Sequence, residues 1–490
     1  MLVDFDTRSM SDYRKFLRLK RLPTYSWRGW YADVPDEYAG MLGVDSAAPQ
    51  TAGYTPSPFL FDYQRDIATM AIRKRKFAAF ADCGFGKSLI FLEFARHAAR
   101  LMPDRNVLIV SPLMVIPQTM AECERWYGET IQRVGASDLQ GWLWNAKGIG
   151  ITNYEAIRDG LHPGKLGALV LDESSLLKSH YGKWGTKLIE MGRGLDYKLA
   201  CTGTPAPNDR IEYANHAVFV DHFRTTNEFL ARYFVNRGET KNRWELKPHA
   251  LRPFYRDLSH WCIFLTNPAV YGWKDNAGTL PPIHVHIDHV PLTDGQRVAS
   301  QKITGGMFVK EAGGIGQRSK LAQLAKGKVA ESLKPAFIRS IVDSWPDEST
   351  LIWCRYNDEQ ELMEQTFPEA ASIKGETPEA ERVRMVDDFK AGRVRILISK
   401  PKILGFGLNL QIATRQVFSG LQDSYEEFYQ AVKRSNRVGS TKPLNVHVPV
   451  TELEEPMVAT VLAKAHRVEQ DTLEQERLFL DLRVSQEGGH

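Results

Sequence analysis

Asp82-Cys83-Gly84-Phe85-Gly86-Lys87-Ser88 lies between an apolar run, Phe77 to Phe80, and an apolar-periodic stretch, Leu89 to Ala98. That order predicts a strand, a glycine-bearing turn and a helix start, the setting a phosphate-binding loop requires. Successive backbone N–H groups and the positive helix end converge there on an anion, and Gly84 and Gly86 lack the Cβ atoms that would block its approach. In such a loop Lys87 reaches the β- and γ-phosphates of a nucleotide and Ser88 ligates Mg2+. Ala81 stands where the usual pattern opens with glycine.

Two carboxylates follow a second apolar run, Leu169-Val170-Leu171-Asp172-Glu173. At the C-terminal edge of a parallel sheet beside a phosphate loop, Asp172 can hold Mg2+ through its water shell while Glu173 orients and deprotonates a water. Thr202-Gly203-Thr204 opens the next turn, where small hydroxyl side chains can hydrogen-bond the Asp172-Glu173 corner and pass its state onward. Far along the chain, Gln430, Arg434 and Arg437 form a Q-x-x-x-R-x-x-R pattern. Spacings of four and three place the three side chains on one helix face, and two guanidiniums facing a nucleotide act as arginine fingers.

These groups need rigid elements behind them. Short apolar runs alternate with helical patterns from Pro56 to Asn208: Phe77 to Phe80, Val107 to Val110, Gly148 to Ile151, Ala168 to Leu171, Leu199 to Cys201. Such alternation predicts right-handed βαβ units and a parallel sheet covered on both faces. A second series, Leu351 to Trp353, Ile396 to Ile398, Gln416 to Phe418 and Leu444 to Val448, predicts a second α/β lobe with a helix over Glu379 to Lys390. The expected division is a loop-like N-terminal extension (1–54) holding Trp27, Trp30 and Tyr31, a nucleotide-binding lobe (55–210), a mainly helical insertion and connector (211–334), a second lobe (335–455), and one or two closing helices (456–490).

With 490 residues the chain is too long for one core. It has no apolar run long enough to span a membrane and no secretory leader, so a cytoplasmic location without membrane contact is expected. Five scattered cysteines form no C-x-x-C pair, which argues against a disulfide framework or zinc site. A net charge of +4 is too mild to indicate a nucleic-acid partner by itself. His284, His286 and His289 lack a carboxylate or cysteine to complete a metal site and read as structural.

Taken in order, the motifs resemble those of superfamily 2 helicases, and within them the Swi/Snf-related ATPases in their compact phage and bacterial form. Tyr63-Gln64 is similar to the upstream glutamine motif that contacts adenine, Asp82 to Ser88 to motif I, and Ser111-Pro112 to motif Ia. Thr152-Asn153-Tyr154-Glu155 resembles the next strand contact, Asp172-Glu173 motif II, and Thr202 to Asn208 motif III. Lys374 to Thr377, Gly405 to Leu410 (with Gly407 at the nucleotide) and Gln430 to Gly439 follow in the family's order. Ser174-Ser175 replaces the Ala-His that usually follows motif II.

The resemblance implies two RecA-like lobes, ATP and Mg2+ as ligands, and nucleic-acid-stimulated hydrolysis that moves the protein along nucleic acid, with DNA favoured over RNA and the choice left open by the sequence. It places Lys87, Glu173, Arg434 and Arg437 in catalysis, with Gln64, Gly84, Phe85, Gly86, Ser88, Gly407 and Gln430 around the nucleotide. Ser111, Pro112, Thr152 and Asn153 fall at the strand. Between Arg232 and Arg256, seven cations including Arg243 and Lys247 alternate with Tyr233, Phe234, Trp244, Phe254 and Tyr255. This reads equally as a backbone-tracking surface or as a helical core with solvated charges. A nucleotide-gated clamp with little turnover inside a larger complex is the alternative function, and a small-molecule P-loop kinase a further one that leaves the arginine pair unexplained. A protein partner is compatible with either reading, and a monomer is the default.

Overall fold

The alternating apolar runs become two all-parallel sheets in a computed structural model. It describes every residue except 1, 23–24, 35–37, 45–52, 146, 179–182, 208, 239–243, 275–279, 305–314, 329, 405–407, 421–423, 438–439 and 488–490. Met1–Asn276 with Gln470–His490 form one unit, and Ala277–Glu469 a second.

The first unit opens with β1 (Leu2–Asp4), β2 (Ser26–Arg28) and β3 (Tyr31–Asp33), an antiparallel sheet in the order β1-β3-β2. The helix Met10–Leu19 accompanies it, and Val3, Leu19, Leu22, Ala32 and Val34 share its core. This corrects the loop-like reading of the N-terminal extension. Strands of three residues are too short to display the period-two alternation that reveals a strand in sequence.

The larger sheet of this unit is built from β4 (Lys76–Ala81), β5 (Asn106–Ser111), β6 (Gln132–Arg133), β7 (Gly148–Asn153), β8 (Leu166–Asp172) and β9 (Tyr197–Cys201). A hairpin, β10 (Phe234–Asn236) with β11 (Trp244–Leu246), follows, and then β12 (Cys262–Leu265). The sheet order is β12-β4-β9-β8-β5-β7-β6 with every pair parallel. All residues of β5, β8 and β9 are buried, which explains their continuous apolar runs: a parallel strand covered by helices on both faces has no polar side.

The segment expected as a helical insertion is thus divided. Its helices Tyr213–Phe219, Thr226–Tyr233 and Leu251–Trp261 lead into β12, which pairs with β4 at the sheet edge. Most of its aromatics are core: Phe229, Tyr233, Phe234, Phe254 and Tyr255 are buried, with the Tyr233 and Phe254 rings 5.3 Å apart and those of Phe229 and Phe254 5.9 Å, while Trp244 is half-buried.

The second unit holds β13 (Ile283–His289), β14 (Thr350–Trp353), β15 (Ala371–Ser372), β16 (Ile396–Ser399), β17 (Arg415–Phe418) and β18 (Leu444–Val450), in the parallel order β13-β18-β17-β14-β16-β15. The connector strand is therefore an edge strand of this sheet. Ile338, Val342, Ile352, Met363, Phe367, Ile398 and Val417 form its core. His286 stacks on His447 at 4.5 Å, and His447 contacts Asp288 at 2.9 Å; among the described residues no cluster suits a metal ion. The closing segment is a single helix, Glu455–Glu487. Among the described residues no helix is long and apolar enough to cross a membrane, and all five cysteines are free and buried.

Candidate active site

The phosphate-loop sequence forms a turn between β4 and the helix Lys87–Leu101. Gly84 (φ 96°) and Gly86 (φ 67°) take left-handed backbone conformations that glycine adopts without strain. A Cβ on Gly86 would also lie 2.3 Å from the Gln64 amide nitrogen. Gln64 is buried over the loop: its amide donates to the Phe85 carbonyl at 3.2 Å and accepts from the Phe61 N–H at 3.0 Å. The Asp82 N–H donates to the Leu265 carbonyl at 2.9 Å, so the strand absent from the sequence reading anchors the loop's first residue.

Lys87 donates to the carbonyls of Ala81 (3.0 Å) and Asp82 (3.4 Å). Burial works against its charge, but Glu173, Cys83, Asp82 and Asp172 outweigh that and hold its pKa above the ordinary lysine value. Ser88 is the next helical residue.

Asp172 ends β8, and both it and Glu173 are only 5% exposed. Burial, reinforced by the neighbouring Glu173 charge, pushes the Asp172 carboxyl up to about 7, while Ser111 and Lys87 oppose the rise. Glu173 has φ 53°, an uncommon backbone for a side chain with a Cβ. Thr202 donates to the Glu173 carboxylate at 3.4 Å, and the Thr204 N–H donates to the Thr202 hydroxyl at 3.2 Å. A Cβ on Gly203 would stand 3.4 Å from Ala81 O and Cys83 N, so this turn packs directly on the phosphate loop. One sheet edge therefore collects an ammonium, two carboxylates and a threonine relay, a donor set that fits a magnesium nucleotide.

Other expected contacts fall differently. The Ser111 hydroxyl donates to Asp172 Oδ2 at 2.8 Å, so its side chain serves the carboxylate and is buried away from any strand surface. Thr152 is also buried, its hydroxyl given to the Val134 carbonyl at 2.8 Å. Pro112 and Asn153 are partly exposed, and Asn153 donates to Glu155 at 2.7 Å. Lys247 caps the helix Thr226–Tyr233 through the Ala231 and Arg232 carbonyls. Gly407, Arg243, Asn208 and Gly439 lie outside the described residues.

In the second unit Gln430 is helical and buried, but its helix, Tyr425–Val432, stops before either arginine. Beyond it the bonding is irregular: Arg434 N donates to Ala431 O (3.1 Å) and Ser435 N to Val432 O (3.2 Å) in tighter turns, and the bond of helical spacing from Asn436 N to Val432 O is long, at 3.4 Å. Gln416 holds the Ser435 hydroxyl at 2.8 Å, and Asn436 donates to the Pro281 carbonyl at 2.8 Å. The three side chains thus do not share a helix face. Arg434 is fully buried, and its carbonyl accepts from Leu410 N at 3.0 Å; Arg437 is partly exposed, its Nε on the Lys433 carbonyl at 2.9 Å.

Two contacts have no sequence signal because their partners lie far apart. Tyr154 donates to the Asp172 carbonyl at 2.6 Å, and Ser174 pairs with His216 Nε2 at 3.1 Å.

The profile of the SNF2-related domain matches residues 73–341, more than half of the chain. The chain belongs to the SNF2-related family. The helicase conserved C-terminal domain follows at residues 333–439. This SNF2-related chain is similar to the DNA annealing helicase and endonuclease ZRANB3 of Mus musculus, 22% identical over 422 residues, 79% of this chain and 38% of that protein. It is also similar to the ATP-dependent DNA helicase DDM1 of Arabidopsis thaliana, 22% identical over 434 residues, 74% of this chain and 55% of that protein. It spans well under two thirds of either relative. The Sulfolobus solfataricus SWI2/SNF2 ATPase core in complex with dsDNA aligns over 90% of this chain and 98% of that one, at 19% identity and a TM-score of 0.41. SNF2-related membership implies an enzyme of the ATPase/helicase class that binds a nucleotide, with Mg2+ as the usual partner.

Proposed function

We propose that this SNF2-related protein is an ATP-driven motor that moves along DNA. The observation that carries the reading is the shared edge at the ends of β4, β8 and β9, where Lys87, Asp172, Glu173 and Thr202 converge. Phosphoryl transfer needs positioned charge more than covalent chemistry from the protein, and this edge supplies it. Backbone N–H groups of the Gly84–Ser88 turn and the Lys87 ammonium hold the phosphates. Glu173 takes a proton from the attacking water, and Thr202 is bonded to it and so registers its position. Ser88 and Asp172 would hold Mg2+, which when bound neutralises charge on the phosphate oxygens.

Arg437 is the finger that stabilises charge on the transferring group. Arg434 is buried within the turn that carries Arg437, and its main-chain carbonyl accepts from Leu410 N. DNA is favoured over RNA because the relatives named above are described as DNA helicases.

The test is phosphate release by purified protein against single-stranded DNA, duplex DNA and RNA. DNA is expected to stimulate most. Glu173→Gln should still bind ATP and lose turnover by at least about 10²-fold, as expected for a general base; an unaltered rate would remove Glu173 from that role.

A further inference from the structure

Ser111, at the end of β5, and Tyr154, just after β7, belong to the two segments assigned to the nucleic-acid strand, and both end on Asp172. Ser111 Oγ donates to its carboxylate at 2.8 Å, and the Tyr154 hydroxyl donates to its main-chain carbonyl at 2.6 Å. Both side chains are buried, Ser111 at 0% and Tyr154 at 2% exposure. Their outward neighbours, Pro112 and Asn153, are partly exposed. Asp172 is thus gripped through its side chain by one of these segments and through its backbone by the other.

The backbone grip has a particular consequence. The Asp172 carbonyl and the Glu173 nitrogen belong to one planar peptide. The φ of Glu173, 53°, is rotation about the bond leaving that plane, in a region costly for a residue with a Cβ. Fixing the plane by the Tyr154 hydroxyl therefore fixes the direction in which Glu173 departs. A shift of the Asn153 segment displaces Tyr154, tilts the plane and re-aims Glu173. A shift of the Pro112 segment moves Ser111 and rotates the Asp172 carboxylate.

The geometry points to Tyr154 as a positioning residue which, with Ser111, couples strand occupancy at Pro112 and Asn153 to the aim of Asp172 and Glu173. The inference rests on the motor reading. Where Ser174-Ser175 replaces the Ala-His that follows motif II in the resembling family, these two hydroxyls supply a direct route from strand to carboxylates.

Tyr154→Phe tests it, since the ring and its edge contact with Trp184 (6.5 Å) are kept while the hydroxyl is lost. ATP turnover is measured against rising concentrations of a DNA oligonucleotide, single-stranded or duplex, whichever activates wild type more, with DNA affinity by fluorescence anisotropy. The DNA-saturated kcat is expected to fall about fivefold or more, the equivalent of one buried hydrogen bond. Half-saturation by DNA and the anisotropy Kd should stay within about twofold of wild type. Ser111→Ala should shift kcat the same way, and it stands in if Tyr154→Phe does not fold. General structural damage would instead weaken DNA binding and kcat together. A DNA-saturated kcat within about twofold of wild type in both variants overturns the coupling role while leaving the motor reading in place. A wild type that no nucleic acid stimulates overturns both.

Discussion

Arg434 and Arg437 differ in sequence by a shift of three positions and in the structure by their access to solvent. A fully buried guanidinium is held by its surroundings and is poorly suited to reach a ligand; a partly exposed one on a short turn has that freedom. Arg437→Ala should therefore leave nucleotide affinity nearly intact and lower turnover by about tenfold or more, since an arginine finger is worth up to about 10³ and beyond. Arg434→Ala should instead lower the melting temperature. Equilibrium nucleotide binding, turnover and thermal melting on the two variants separate these roles, and a near-normal rate for Arg437→Ala removes it as the finger. The same contrast applies to Ser111 and Thr152. Their types suit phosphate contacts, but strand ends in a parallel sheet are crowded by neighbouring strands, and each hydroxyl is taken by the next one.

At the level of elements, the two units carry buried titrating groups with separate acid limits. In the first, burial pushes His216 down to about 4, against the opposing Glu212 and Ser174 contacts. Its unfolded value is about 6.5, so the unfolded chain binds more protons between these values, and stability present above pH 6.5 is lost as pH falls towards 4, by about 3 kcal/mol. In the second, Glu454 is gripped by Lys326 (2.8 Å) and Lys334 (2.6 Å). Burial disfavours its charge, yet the two ammoniums outweigh that and hold it at about 2. That stabilisation is complete above about pH 4.5 and is lost as pH falls through 2. Thermal melts from pH 7 to 3 should show the first loss beginning near 6.5 and the second below 4.5. Glu454→Gln should flatten only the lower slope; an unchanged slope would dissociate the triad from acid lability. The strands themselves were readable because buried parallel strands are written as uninterrupted apolar runs. Three-residue strands and the edge strand β12, which directly follows a helix at Trp261, carry no such signature.

For the whole molecule, the motor reading requires Arg437 to reach the nucleotide held at Lys87 in at least one state of the cycle. Because all five native cysteines are buried, dyes can be placed selectively at exposed positions, for example Lys147→Cys in the first unit and Arg384→Cys in the second. Energy transfer between them should change when ATP is added to the Glu173→Gln protein and return when nucleotide is removed. A signal indifferent to nucleotide would count against alternating closure. Sequence alone was enough to order the chemistry: a glycine turn with Lys87, a carboxylate pair and two parallel-sheet lobes, because local geometry dictates residue type at a phosphate turn and burial dictates apolar runs. Tertiary structure alone decided who partners whom. Tyr154 and Ser111 meet Asp172, and β12 meets β4, through contacts between positions far apart in the chain, and no local pattern records a distance that only folding creates.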